Sequence, residues 1–260
     1  MSSVTQRISQ IKQPTGGYIK PGQFKVTKFN DGIVLADTEN INPTITGTVV
    51  DYLSRFVSGS DIKDAFMISL AGAFRAEKHG VDTAGLAATY FLMNIKGLDD
   101  DSIINACKLT TFDTWARNPI VAMSSKGPKD TNPDADTINN IRIMVKRTQT
   151  FWQKYGPVTK SGFQFGESGY TATVDSGDGD YLTADTMWDL KVIKGRIQSK
   201  HTLQLLMYWI MGQHSELPEF KSIDKIGFYN PRLDQMHLLN ISDIPQSTIV
   251  AVERDVICYK

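Results

Sequence analysis

Two aspartates and a lysine in the last third of the chain have residue types and spacing that suit a site for a divalent cation. Asp180 is followed by Asp189, and Lys191 comes two positions later. Met187–Ile193 alternates as a strand does, which puts Asp189 and Lys191 on one face and apolar side chains on the other. Asp180 would lie on a neighbouring antiparallel strand. Two carboxylates so close repel each other unless a cation such as Mg²⁺ neutralises them.

An acid two residues before a lysine is a weak signal by itself, because it also occurs at Asp61–Lys63 and at Glu219–Lys221. The first of these begins a helix, where an acid suits the helix dipole, and the second lies in a loop. Asp175 and Asp178 flank glycines and are expected to be turn residues. The pair at Asp189 and Lys191 is distinguished by its place in a strand.

Gln204 and Tyr208 add two polar groups to the candidate site. They are four residues apart, so in the apolar helix predicted over residues 201–214 they share one face. The alternative is an ordinary polar residue beside a core aromatic. Their position directly after the strand of Asp189 favours a role in the site.

Positive charge follows the strand and also marks an earlier helix. No acid lies between Asp189 and Glu216, whereas Lys194, Arg196 and Lys200 do. A basic connection beside an acidic site suits a phosphate backbone. The helix predicted from Ile138 to Tyr155 has a cationic face with Arg142 and Lys146, for which the alternative is a solvated surface. His201 and His214 lack the spacing of metal ligands and are interpreted as ordinary histidines or phosphate contacts.

These residues together resemble the PD-(D/E)XK nuclease superfamily, in its RecB-like branch with a Q-x-x-x-Y motif. Asp180 matches the first acid, Asp189 and Lys191 match the (D/E)-x-K triplet, and Gln204 and Tyr208 match the helix motif. The resemblance implies catalytic roles for these five residues, Mg²⁺ or Mn²⁺ at the acids, and cleavage of DNA phosphodiester bonds. It also implies an α/β fold: a restriction-endonuclease-like core with a central mixed sheet flanked by helices.

The chain departs from the family pattern in two ways. Asp180 is not preceded by proline, and no upstream acid is an evident third ligand. Glu167, on the first strand predicted after the cationic helix, is our candidate ligand. Glu77 and His79 are alternatives in the helical region.

Glycine and proline residues mark the boundaries between the predicted elements of the chain. Short strands are expected at Phe24–Thr27 and Ile33–Leu35 within an otherwise irregular start, followed by helices from Asn42 to about Asn118. A period-2 pattern begins after Gly156. We therefore expect an N-terminal extended segment and helical lobe over residues 1–136 and the nuclease-like core over residues 137–260.

Composition sets limits on these interpretations. Hydrophobic residues make up 41% of the chain, an ordinary value for a globular protein. The formal net charge is zero, so contact with DNA would use a local patch rather than the whole surface. No apolar run has the ~18 residues of a membrane span. With Cys107 and Cys258 far apart, a reducing cytoplasm is expected.

Three functions are compatible with the sequence. The first is a Mg²⁺-dependent DNA exonuclease or end-processing nuclease of the kind a phage or mobile element would encode. The second is an inactive or weakly active nuclease-like protein that binds DNA or a protein partner, such as an inhibitor of a defence complex. The third is a hydrolase of small phosphate esters, against which the absence of a glycine-rich phosphate loop argues.

Overall fold

The computed structural model describes residues 2–260 and consists of strands and helices in an α/β arrangement. The strands are β1 (Ser2–Ser3), β2 (Lys25–Lys28), β3 (Lys160–Phe163), β4 (Val174–Ser176), β5 (Gly179–Leu182), β6 (Thr186–Leu190), β7 (Lys225–Asn230) and β8 (Gln235–Asn240). The α-helices are α1 (Val4–Gln10), α2 (Pro43–Val57), α3 (Ile62–Ala65), α4 (Met67–Lys78), α5 (Ala84–Met93), α6 (Asp100–Thr110), α7 (Asp113–Arg117), α8 (Pro119–Ala122), α9 (Ala135–Tyr155), α10 (Ser199–His214) and α11 (Gln246–Ala251). A π-helical segment, Val252–Ile257, continues α11.

The chain divides into two compact units, and the division differs from the predicted boundary at residues 136 and 137. One unit combines residues 1–30 with 152–260, and the other is formed by residues 31–151. The first thirty residues join the sheet unit because β2 pairs with β8 and because α1 packs on α10. These long-range pairings are not encoded in the local sequence pattern.

A six-stranded mixed sheet organises the first unit, in the order β2-β8-β7-β6-β5-β3. Only the central pair, β6 and β7, is parallel, and the remaining neighbours are antiparallel. The parallel pair needs a crossover connection, and α10 supplies it. The predicted mixed sheet flanked by helices is therefore confirmed.

The two faces of the sheet bury different partners. Leu182 and Met187 belong to the apolar core that α10 completes with its leucines and methionines. On the opposite face, Trp188 and Tyr181 pack against Trp152, with ring centroids 6.2 and 4.8 Å from the Trp152 ring. Because side chains alternate along a strand, Asp189 lies on the α10 face, as the sequence predicts.

Residues 2–10 form ordered structure where the sequence analysis predicted an irregular segment. β1 pairs with β4, and Ser3 caps α1 by accepting the backbone N–H of Gln6 at 3.2 Å. The Gln6 side chain accepts the Ser3 N–H at 2.9 Å in return, which completes a capping box. Val4 is fully buried in the core of this unit.

The strand predicted at Ile33–Leu35 is wrong, because that segment is not in a sheet. Within the second unit, Arg147 holds it instead. Its guanidinium donates to both oxygens of Asp31 at 2.7 Å and to the carbonyl of Ile33 at 2.7 Å. A buried arginine thus replaces strand pairing.

The second unit is helical, as predicted. Asn42 caps α2, whose first residue is Pro43, and its side chain accepts the Thr44 N–H at 2.8 Å. The buried carboxylate of Asp113 on α7 accepts hydrogen bonds from Tyr52 on α2 and Ser69 on α4. This network joins three helices through a carboxyl group whose pKa is raised by burial.

Candidate active site

The structure brings Asp180 and Asp189 to the same face of the sheet. β5 and β6 pair Tyr181 with Trp188 and Leu182 with Met187. Continuing this register by one residue sets Asp180 opposite Asp189, and opposite residues in antiparallel strands have Cβ atoms about 5 Å apart on one face. The backbone N–H of Leu190 donates to Oδ2 of Asp180 at 2.8 Å, which fixes that carboxylate beside β6.

Lys191 directly follows β6 and pairs with Asp189. Its Nζ lies 2.9 Å from Oδ1 and 2.8 Å from Oδ2 of that carboxylate. The Asp189 side chain is 5% exposed, whereas that of Lys191 is 18% exposed. A buried ion pair of this kind needs further hydrogen bonds to offset the cost of removing both charges from water.

Gln204 and Tyr208 extend the pair into a connected polar network. The Gln204 Oε1 accepts a hydrogen bond from Nζ of Lys191 at 2.9 Å, and its Nε2 donates to the Tyr208 hydroxyl at 3.2 Å. The predicted i, i+4 relationship is therefore present on α10. The helix is positioned because apolar side chains bury most of its circumference in the core.

The ionisation of the site is coupled across these residues. Burial disfavours the Lys191 ammonium, but the charges of Asp189 and Asp180 outweigh burial and raise the pKa of Lys191 above its ordinary value. Burial and the same two carboxylates raise the pKa of Tyr208 far above its usual range. Both aspartates thus act electrostatically on one lysine and one tyrosine, which agrees with their placement on one face.

His201 is a neutral neighbour of this network. It lies in the first turn of α10, and its Nδ1 accepts the backbone N–H of Gln198 at 3.1 Å. Burial, followed by the positive charges of Lys191 and Lys200, lowers its pKa to about 4. The proton of the neutral ring is therefore on Nε2, which is left as a donor.

One oxygen of Asp189 has an incomplete environment. Oδ2 is buried and accepts no hydrogen bond from any residue in 2–260, although Nζ of Lys191 is within ion-pair distance. Oδ2 is therefore stabilised by the ammonium charge alone, whereas most buried acceptors also accept a hydrogen bond. Mg²⁺ commonly binds to one or two carboxylates and keeps several waters, so Asp180 and Asp189 fit such a cation as a donor set.

Residues 2–260 bring no third histidine, cysteine or acidic ligand to these two acids. Among residues 2–260, no group of three histidine, cysteine or acidic side chains is arranged to hold a metal ion. Glu167 begins a short 3₁₀ helix rather than lying on a strand, and it borders a shallow pocket with Ser215 and Glu216. That pocket is at the C-terminal end of α10, about 15 Å along the helix from Gln204.

The alternative ligands Glu77 and His79 belong to the other unit, where each has its own contact. Oε1 of Glu77 accepts the Gly85 N–H at 2.9 Å, and the His79 ring lies against Trp115.

The predicted basic residues separate into two groups. Lys194, Arg196 and Lys200 are exposed in or next to the connection from β6 to α10, in the same unit as the aspartates. Arg142 and Lys146 lie on the part of α9 that belongs to the second unit. Arg142 is bound to the Asp100 carboxylate and to the Leu98 carbonyl, whereas Lys146 is exposed.

The N-terminal helix is a contributor that the sequence analysis missed. Thr5 places its hydroxyl 3.5 Å from Nε2 of Gln204, and Val4 and the Tyr208 ring both lie against Gly177. The signal was available, since Ser3-Val4-Thr5-Gln6 has the spacing of a capping box. His201 was interpreted as an ordinary histidine or a phosphate contact, and nothing in its spacing indicated that the charge of Lys191 acts on it.

Comparison of the chain with protein-family models, with curated proteins and with solved structures found no match. The resemblance to the nuclease superfamily therefore depends on the five motif residues. Among residues 2–260, no helix is both long and apolar enough to cross a membrane.

Proposed function

We propose that the protein is a metal-dependent DNA nuclease of the PD-(D/E)XK type, with a restriction-endonuclease-like core and its active site at Asp180, Asp189 and Lys191. The observation that carries the proposal is the convergence of two carboxylates, one ammonium and one amide on the α10 face of the sheet. The order of these residues in the chain is that of the superfamily motif.

Each residue has a role that its contacts support. Asp180 and Asp189 would hold Mg²⁺ or Mn²⁺, with Asp180 oriented by the Leu190 N–H. Gln204 orients the Lys191 ammonium, which remains protonated because both aspartates raise its pKa. A protonated lysine is a point charge suited to a non-bridging phosphate oxygen or to an attacking water. When bound, the cation would supply an activated water and neutralise charge on the phosphate.

The substrate we infer is DNA because the exposed cations closest in sequence to the site form one connection. Lys194, Arg196 and Lys200 follow the Asp189 strand with no intervening acid. Sequence-independent contacts to a phosphate backbone come mainly from such side chains. The zero net charge of the chain restricts these contacts to a local patch.

A second candidate function is supported by the same geometry. With no third ligand among residues 2–260 and with Lys191 paired to both oxygens of Asp189, the network can be stable without a cation. The protein would then be a nuclease-like protein that binds DNA or a protein partner without cutting, for instance as an inhibitor of a defence complex.

Digestion of end-labelled linear DNA and of circular DNA with Mg²⁺ and with Mn²⁺ tests the proposal. We expect Asp189→Asn and Lys191→Gln to lower the cleavage rate by at least about 100-fold, since these groups act on the reacting phosphate. Asp185→Asn and Lys225→Gln are matched controls, because these two residues form a more exposed ion pair at the start of the β6–β7 pair.

The outcomes separate the two candidates. Cleavage that is lost in the two site variants and kept in the two controls supports the nuclease. A wild-type protein that leaves both DNA forms intact with either metal supports the non-cutting alternative. A cleavage rate that is identical in all five proteins would come from a contaminant and would support the same alternative.

A further inference from the structure

Helix α5 exposes a stripe of large apolar side chains. Leu86, Tyr90 and Met93 are 74%, 63% and 65% exposed. They are spaced i, i+4, i+7 and so form one face of the helix, while Ala84 and Ala88 on the other face are buried. Apolar residues at this spacing normally face a core.

The neighbouring helix adds to the same kind of surface. α4 packs against α5, and Oε1 of its Glu77 accepts the backbone N–H of Gly85 at the seam. Met67 and Phe74 on α4 are 58% and 66% exposed. We call Met67, Phe74, Leu86, Tyr90 and Met93 the α4–α5 surface.

The chemistry of α5 restricts what can cover its exposed stripe. The helix reads AGLAATYFLM and has no charged side chain. A nucleic acid would need cations there, and an interfacial helix on a membrane is normally rich in lysine or arginine on its polar face. A helix that is apolar on both faces is normally buried, so its occupant should itself be apolar.

We propose that the α4–α5 surface is the interface with a second copy of this chain, in which the two α5 helices cross antiparallel about a two-fold axis near Tyr90. The stripe is self-complementary in that arrangement. Leu86 of one copy meets Met93 of the other, and Tyr90 meets its own equivalent. A two-fold interface requires one patch to match itself in this way.

Area and charge are consistent with a dimer. Five side chains of this size and exposure present roughly 600–700 Å², close to the ~800 Å² per partner of a standard interface. A formal net charge of zero means that two copies do not repel each other at long range. This inference is independent of the proposed nuclease activity.

Analytical ultracentrifugation of the full chain from about 1 to 100 µM tests the proposal. We expect a monomer–dimer equilibrium in the wild type and a dissociation constant at least about 30-fold higher in Tyr90→Glu, because a carboxylate would be buried at the axis. Val34→Glu is the control, since Val34 is 89% exposed in the same unit but outside the surface. Circular dichroism checks that both variants are folded.

Crosslinking then tests the two-fold axis itself. Tyr90→Cys in a Cys258→Ser background should form a disulfide-linked dimer on mild oxidation, whereas Val34→Cys in the same background should not. A wild type that stays monomeric over this range, or a dimer that persists in Tyr90→Glu, would overturn the proposal. Binding of the monomer to phospholipid vesicles that Tyr90→Glu abolishes would overturn it in favour of a lipid surface.

Discussion

The backbone N–H of Leu190 donates to Oδ2 of Asp180 across the β5–β6 pair at 2.8 Å. This bond holds one carboxylate against the strand that carries the other, so the Asp180 side chain cannot turn away from β6 without breaking it. The Lys191 ammonium pairs with Asp189, and its raised pKa reflects the charges of both acids. Positioning at this site therefore comes from the sheet and from α10 rather than from flexible loops.

Replacing Lys191 by methionine should destabilise the protein because it leaves the Asp189 carboxylate buried beside Asp180 without a cation. We expect the free energy of unfolding to fall by about 3 kcal/mol, as is usual when one partner of a buried pair is removed. Urea denaturation at pH 7.5 without divalent metal measures it. Lys225→Met, which breaks a more exposed ion pair with Asp185, should cost less than about 1 kcal/mol; equal losses in the two variants would contradict the buried pair.

Gln204→Met should weaken the network while keeping the volume of the side chain. The substitution removes an acceptor from Lys191 and a donor from the Tyr208 hydroxyl, so we expect a loss of about 1–2 kcal/mol. Gln153, an exposed glutamine in the last turns of α9, gives the matched control Gln153→Met. If thermal and urea denaturation find the two variants equally stable, the Gln204 contacts contribute nothing.

Gly179→Ala should disturb the strand that positions Asp180. A Cβ atom at residue 179 would lie 2.2 Å from the Phe163 ring, which is itself buried between other aromatic rings. Overpacking of this kind costs about 1–3 kcal/mol. Gly22→Ala has nothing within 4 Å of the added Cβ, so its urea midpoint should match the wild type; a Gly179→Ala protein that is equally unaffected would refute the tight packing.

His201 should make the protein less stable as the pH falls from neutral. Its folded-state pKa is lowered from 6.5 to about 4 by burial and by the charges of Lys191 and Lys200. Between pH 6.5 and 4 the unfolded chain binds a proton at this residue that the folded protein does not, so the free energy of unfolding decreases with decreasing pH.

The variant His201→Asn isolates this effect because its side-chain oxygen can still accept the Gln198 N–H. We expect its free energy of unfolding to depend less on pH over that window than that of the wild type, as measured by urea denaturation at pH 7, 6, 5 and 4.5. Parallel pH profiles for the two proteins would show that His201 titrates normally in the folded state.

The sequence predicted the central strand and helix of the site because their signals are local. Alternation along Met187–Ile193 placed Asp189 and Lys191 on one face, and helical periodicity placed Gln204 four residues before Tyr208. Both relationships depend only on the geometry of a single element. The antiparallel register that sets Asp180 opposite Asp189 follows from the short connection between β5 and β6.

The features that the sequence did not predict depend on distant contacts. α1 is stable because Val4 is buried in the core and because Arg7 donates to the Val256 carbonyl at 2.8 Å. Residues 31–33 are held by hydrogen bonds from Arg147 and do not pair with another strand. Glu167 was nominated as a ligand from its place in a predicted strand, but the chain turns into a 3₁₀ helix after a Gly166 with φ 68°.

The most direct test of the account is a titration of the metal-free protein with Mn²⁺, in which electron paramagnetic resonance counts the bound ions. We predict one ion per chain in the wild type and in Asp185→Asn, and at least about a 30-fold weaker affinity in Asp180→Asn and in Asp189→Asn. Circular dichroism establishes that each variant is folded. Failure of the wild type to bind Mn²⁺, or equal affinity in all four proteins, would contradict the claim that these two carboxylates share a cation.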